Sequence, residues 1–260
     1  MITDAIIEFS KQFPAFDSAI NTGLVVFARI LTFASFAPVF GRKEVPMLVR
    51  LSLSLVLTIT TVSILGNPLT PKDFSLELSV FLNAVFGGII GFIANTIFCA
   101  INAGGDMINM QMGLSSAMMF DNSTKAQASI FGTFLVLFAT VLFMDIGGMY
   151  WLIRAIVRSF DIFPVYGTDL NLAALISRDY IITVTSNVLY IGMQIASPIL
   201  LATLGQDVIL GIISKTAPQV NVFQLSFLFK PVIGVAIMIV ILPMFVNMVT
   251  DYFMSFAQIY

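Results

Sequence analysis

Long runs of apolar residues, broken at intervals by short polar clusters, set the pattern of this 260-residue chain. The runs extend roughly from Thr22 to Phe40, Leu51 to Gly66, Ser79 to Ile101, Ile130 to Ile153, Ile181 to Leu204 and Val232 to Thr250. A helix needs ~20 predominantly apolar residues to cross a bilayer, so the pattern predicts about six spanning helices, the second of them short. The fourth run carries Asp145 followed by Gly147 and Gly148. Charge and broken backbone both need partners in hydrocarbon, so protein is expected around that segment. Ahead of the first run, Ile2, Ile6, Phe9, Phe13 and Phe16 recur at helical spacing, which predicts a short amphipathic helix, either an interfacial anchor or a contact with a partner subunit. The polar connections hold too few apolar residues for a soluble core of their own.

Composition agrees with this pattern. Apolar residues make up 58% and charged ones 10% of the chain, and the mean hydropathy is +1.00, so polar surface is too scarce to coat a soluble globule. The expected class is an all-α integral membrane protein. A net charge of -2 without a basic block gives no footprint for nucleic acid. Histidine is absent and the single cysteine, Cys99, lies in an apolar run, which removes the usual zinc sites and any internal disulfide and leaves a small packing residue. No cofactor is expected. Residues 1–20 contain Asp4, Glu8 and Asp17 and do not resemble a cleaved signal peptide, so the first spanning segment is expected to persist. With both termini outside, inner loops hold six Lys or Arg against five in outer loops; the GRKEVPMLVR loop, with three basic residues, favours that orientation.

Several positions call for a physical explanation. Arg29 sits mid-segment, where an arginine costs at least ~2.5 kcal/mol on insertion scales. Its acceptor is expected to be a carboxylate such as Asp106, Asp145 or Asp207, or a water-filled lumen, and packing and conduction roles both fit; Arg29 and Asp145 are the candidate buried charges. Gly87, Gly88 and Gly91 form a small-residue face for tight helix packing, while Pro198 and Pro243 each remove a backbone donor and are expected to bend their helices. Residues 102–127 combine glycines and five methionines with only three charges, Asp106, Asp121 and Lys125. Methionine fills irregular gaps and repacks easily, so this stretch reads as a soft constriction in a channel or, alternatively, as core filler. From Gly205 to Lys230 an apolar pattern gives way to Ser214, Lys215, Thr216, Pro218, Gln219, Asn221 and Gln224, then resumes at Phe223, Phe227 and Phe229: a helical hairpin with a polar tip.

The tip carries a resemblance. GIISKTAPQVNVF, Gly211 to Phe223, resembles the signature of the FliR family of flagellar and type III secretion export-gate proteins, a glycine, two apolar residues, a basic residue and Pro-Gln-x-Asn-x-Phe. Val45-Pro46 through Arg50, Gln111 to Ser115 with Asp121, Asp145 to Ile153, and Ser197-Pro198 fall in the family's order, so the likeness covers nearly the whole chain. It implies a FliP-like portion, residues 1–180, followed by a FliQ-like C-terminal helical hairpin, residues 181–260. Partners implied are FliP-like and FliQ-like subunits, a FlhB-like switch protein and unfolded secreted substrates. The implied location is the bacterial inner membrane, in a flagellar basal body or injectisome base, and part of the assembly is lifted out of the bilayer plane. By the same resemblance the pore plug comprises Gln111, Met112, Gly113, Leu114, Ser116, Met118, Met119 and Phe120. The inter-subunit tip comprises Lys215, Pro218, Gln219, Asn221, Phe223 and Lys230. The chain departs from the family where plugs often repeat phenylalanine: Ser116 and Met119 stand at such positions, and of the aromatics only Phe120 remains.

Two rival functions follow from the residues alone. Gly113-Leu-Ser-Ser mimics an intramembrane serine nucleophile, but without histidine the usual general base is missing, so no enzyme is expected. A small-solute secondary transporter fits proline-containing helices and membrane-embedded Asp145 and Arg29, although no inverted repeat is visible.

Overall fold

A computed structural model describes residues 14–65, 75–114, 129–167 and 178–257, and every regular element among them is an α-helix. In chain order these are α1 (Pro14–Phe36), α2 (Met47–Leu65), α3 (Leu76–Gln111), α4 (Ile130–Asp145), α5 (Gly148–Ile162), α6 (Arg178–Thr216) and α7 (Val222–Ala257). Five of them, α1, α2, α3, α6 and α7, contain stretches long and apolar enough to cross a membrane, and α4 with α5 makes a sixth if counted as one broken span. The chain is an all-α integral membrane protein. Of the amphipathic segment proposed ahead of the first span, Ile2, Ile6, Phe9 and Phe13 lie outside the described residues and Phe16 falls within α1.

Two expected elements differ in the structure. The second helix is not short: α2 has 19 residues, because Met47 to Arg50 wind into it directly after Pro46. The fourth segment is not one helix. The Ile146 amide donates back to the Leu142 carbonyl at 3.1 Å and the Gly147 amide to Met144 at 3.1 Å, while Gly147 takes φ +80, which closes the last turn of α4 as a left-handed cap. Cys99 is exposed on α3 instead of packed within the chain.

Contacts group the chain into two units that interleave in sequence, residues 1–95 with 149–178, and 96–148 with 179–259. In the first unit, α2 turns Ser54, Thr58 and Thr61 inward, while Leu55, Val56, Ile59 and Ile64 are exposed. Such a helix is inside-out by soluble standards. In hydrocarbon, aliphatic side chains lose nothing by facing outward, and small hydroxyl residues let helices approach and bond their own backbone, as Thr58 does to the Ser54 carbonyl at 2.7 Å. Helices α1 and α3 run parallel and touch through backbone. A Cβ on Gly87 would stand 2.0 Å from the Arg29 carbonyl oxygen, and one on Gly91 2.6 Å from that of Phe33.

In the second unit a similar close approach joins the C-terminal part of α3 to α4 and α6. A Cβ on Gly105 would meet the Gly132 Cα at 2.4 Å, and one on Gly104 the Gly192 carbonyl at 2.8 Å. Phe98, Phe143 and Phe253 form a ring cluster with centroids 5.0 to 5.5 Å apart, tying α3, α4 and α7. Helix α6 continues through Pro198. Proline removes the donor that would serve the Gln194 carbonyl, and the Ser197 hydroxyl donates to that oxygen at 3.1 Å instead.

The contrast between two neighbouring glycines is testable. Gly87→Ala should force α1 from α3 and lower stability by ~1–3 kcal/mol. Gly88→Ala, whose Cβ would meet the Phe36 ring at an ordinary 3.6 Å, should change it by less than ~0.5 kcal/mol. Thermal unfolding in detergent reads the difference; equal midpoints would refute the close backbone contact.

Candidate functional site

Arg29 is entirely buried in the first unit, and among the described residues none of its partners is a carboxylate. Its Nε donates to Asn83 Oδ1 at 2.9 Å and Nη2 to the same oxygen at 2.5 Å. Nη2 also donates to the Phe163 carbonyl at 2.7 Å, and Nη1 to the Ser159 carbonyl at 3.0 Å and hydroxyl at 3.1 Å. A guanidinium has five N–H bonds, and all are used. Phe160 lies against the cation, its ring centre 3.9 Å from Cζ, with Phe86 and Phe163 each at 5.4 Å. Asn83 is oriented by its own donors, which go to the Ser79 carbonyl at 2.8 Å and the Val165 carbonyl at 3.1 Å, leaving only its oxygen for Arg29. The charge is therefore solvated by amide, carbonyl and ring instead of an anion or a lumen.

The three carboxylates considered for it are placed otherwise. Asp207 grips Lys230, with Nζ 2.8 Å from Oδ1. Asp106 lies over the first turn of α4, where a Cβ on Gly132 would meet its Oδ1 at 2.7 Å, beside the Ser129 cap; the positive end of a helix suits it there. Asp145 is exposed at the end of α4, so it is not a buried charge of this chain.

The methionine-rich stretch begins inside α3, which runs to Gln111. Met112 is fully buried; its side chain lies on the backbone at Gly234 of α7, where a Cβ would fall 2.1 Å from its Cε. Met112 is thus a packing residue and is not free to seal a lumen. Gly113 takes φ +75 and ends the helix, facing the Phe227 ring, and Leu114 is half-buried. Met112 and Gly113, just past the end of α3, are therefore held on α7 between Phe227 and Gly234. Ser116, Met118, Met119 and Phe120 lie outside the described residues, as do Asp121 and Lys125.

The hairpin turn is short, residues 217–221, between α6 and α7. Asn221 faces its own helix: Oδ1 accepts from the Gln224 amide at 3.2 Å as the cap of α7. Lys230 lies two turns down α7 and bonds Asp207 across the hairpin, so it is not part of the tip. Lys215, Pro218, Gln219 and Phe223 are exposed. On α6, Gln206 is buried with neither its amide oxygen nor its nitrogen bonded. The partners Asn83, Ser159, Phe160 and Phe163 escaped sequence reasoning. Only Asn83, a polar residue inside an apolar run, gave a signal.

Comparison with known proteins adds to this geometry. Residues 20–256 match the model of a family described as bacterial export proteins, family 1. The chain is 27% identical over 219 residues, 83% of its length and 82% of the relative's, to the flagellar biosynthetic protein FliR of Escherichia coli (strain K12). It is 29% identical over 235 residues to the FliR of Bacillus subtilis (strain 168), 88% of this chain and 86% of that one. With the FliR of Aquifex aeolicus (strain VF5) the identity is 26% over 241 residues, 92% of each chain.

Asn83→Ala should leave a buried guanidinium with two orphaned N–H groups and cost ~3 kcal/mol or more. Asn83→Asp restores an acceptor and adds a counter-charge but withdraws the side-chain donors from the Ser79 and Val165 carbonyls, so it should recover only part of the loss. Chain level in membranes and unfolding midpoint in detergent check the order. An Asn83→Ala protein as stable as the parent would disprove the role given to this amide.

Proposed function

We propose, because the chain belongs to the FliR family of bacterial export proteins, that it is a membrane component of the flagellar protein-export apparatus. The observation that carries this is the family match across residues 20–256, joined to an all-helical membrane fold. The finer reading is a core subunit of the export gate in the bacterial inner membrane, at the flagellar basal body, forming with FliP-like and FliQ-like subunits a channel for unfolded substrates. Its parts are a FliP-like portion over residues 1–180 and a FliQ-like hairpin over 181–260. The polar tip, with Lys215, Pro218, Gln219 and Phe223 exposed, is available to neighbouring chains. The part assigned is structural and transport-related, with no catalytic step.

The small-solute transporter loses the two charges that suggested it. Arg29 has all its donors engaged and Asp145 is exposed. Within the gate reading, the loop from Gln111 to Lys125 supplies the plug, and Met112 and Gly113 at its start pack on α7. Met118, Met119 and Phe120 would form the deformable apolar seal, since an apolar constriction resists wetting. Gln219, Lys215 and Phe223 at the exposed tip would meet adjacent hairpins or the FlhB-like switch protein.

Replacing Met118, Met119 and Phe120 together by Ala should leave the assembled complex leaky to ions, measured as conductance alongside complex yield. A sealed, fully assembled triple variant would sink the plug assignment; a loss of yield of several kcal/mol in stability without leak would mark core filler instead. Gln219→Ala should weaken export and co-purification of the hairpin's partners without moving the chain's own unfolding midpoint, because no bond within the turn depends on that side chain. Unchanged export and co-purification would count against a contact there.

A further inference from the structure

Three groups between residues 39 and 54, in the connection from α1 and the start of α2, are held in unfavourable states. The first is backbone. Val39 takes φ +71, and among the described residues it is the one non-glycine with positive φ; a β-branched side chain is a marked outlier there. The Phe40 amide donates to the Pro38 carbonyl at 2.9 Å, which closes a tight three-residue turn around Val39. The other two are polar atoms on α2. Arg50 Nε and Ser54 Oγ are both buried without a hydrogen bond. On the same helix Ser52, Thr58, Thr60 and Ser63 each donate to the carbonyl one turn back, at 2.7 to 3.2 Å. Ser54, fully buried, forgoes that bond.

Buried polar groups are nearly always bonded, and a left-handed valine persists only where its surroundings enforce it. Here the enforcing contacts lie on both sides of the turn. The Gly41 amide donates to the Ala37 carbonyl at 2.9 Å, and a Cβ on Gly41 would stand 2.6 Å from the Ser35 carbonyl oxygen, so the loop is folded hard onto the end of α1. From α2, Arg50 Nη2 donates to the Arg42 carbonyl at 2.7 Å and the Val45 carbonyl at 3.1 Å and ties the loop down. Helix α2 packs on α1. Its buried residues are Ser54, Thr58 and Thr61, small side chains that interlock little and so resist a shift weakly. We propose that residues 37–50 form a strained joint with two arrangements. In the second, Arg50 releases the Arg42 and Val45 carbonyls, Val39 returns to negative φ, and the guanidinium turns along α2 until Nε donates to the Ser54 hydroxyl. Residues four apart on a helix are neighbours, so that bond lies within reach. One movement thus relieves all three groups and carries α2 against α1. The inference rests on the first unit alone and is independent of the export reading.

The test uses the full chain, with whatever subunits accompany it, in lipid vesicles. Cys99→Ser removes the one cysteine. Leu24→Cys on α1 and Ile59→Cys on α2, both exposed positions, then carry nitroxide labels whose separation is read by pulsed electron paramagnetic resonance. The expected result for this labelled parent is two separations. Val39→Gly removes the strain from the arrangement described, so it should shrink the second population about fivefold or more and raise the unfolding midpoint. Val39→Asn, at ease in the left-handed region without glycine's flexibility, should act in the same direction. Ser54→Ala takes away the acceptor of the second arrangement and the orphaned hydroxyl of the first, and should also shrink the second population and raise the midpoint. Ser52→Ala, at an exposed hydroxyl, should change neither quantity. A single separation in the parent would overturn the proposal. So would a second population that Val39→Gly and Ser54→Ala leave intact, or a midpoint lowered by both Val39 variants.

Discussion

A positive charge in the interior of a membrane helix must draw its solvation from the protein, and much of the first unit is arranged around that demand. Arg29 presents five N–H bonds in one plane, and neutral acceptors from α3, α5 and the turn after α5 meet all of them. Removing any acceptor exposes an N–H to hydrocarbon, so the acceptors are mutually dependent. Asn83 extends the constraint, because its two donors fix the Ser79 and Val165 carbonyls. The backbone of Arg29 is held as well, since its carbonyl lies against Gly87. One residue thus sets the spacing of α1 and α3 through its main chain and the position of α5 through its side chain.

Aromatic rings complete this solvation where dipoles end. Phe86 and Phe163 stack with centroids 5.2 Å apart, and Phe160 covers the guanidinium face. Rings contribute electrostatic attraction without needing hydrogen bonds of their own. A carboxylate would have brought its own desolvation cost into the interior, and the net gain from a buried ion pair is often small. The second unit handles charge differently. Lys230 and Asp207 pair across the hairpin with partial exposure, 17% and 40% of their side chains, so water shares their solvation.

Methionine's adaptable thioether suits it to irregular packing. At Met112 it is spread over a glycine of α7 and anchors the end of α3. Gly113 then turns the backbone toward Phe227. The hairpin arm that bears Phe227 and Gly234 is continuous with the exposed tip, so the contact with Met112 and the tip share one helix.

The sequence by itself determined the class, most of the spans, the hairpin and its polar turn, and the close packing at Gly87 and Gly91. These properties are local: apolar length, glycine spacing and turn-forming residues act over a few positions and need no knowledge of what lies across the fold. It also showed that Arg29 required a partner, since the cost of an arginine in hydrocarbon follows from position alone. It could not show which partner. Asn83, Ser159 and Phe163 stand 54, 130 and 134 positions away, and several carboxylates were equally available on paper. The same holds for Met112, whose role depended on a glycine on α7, and for Asp145, whose exposure depended on a helix ending at Gly147. Which groups meet across long separations is decided by how helices pack, because hydrophobicity in a membrane chain is nearly uniform along the spans and does not distinguish one buried face from another.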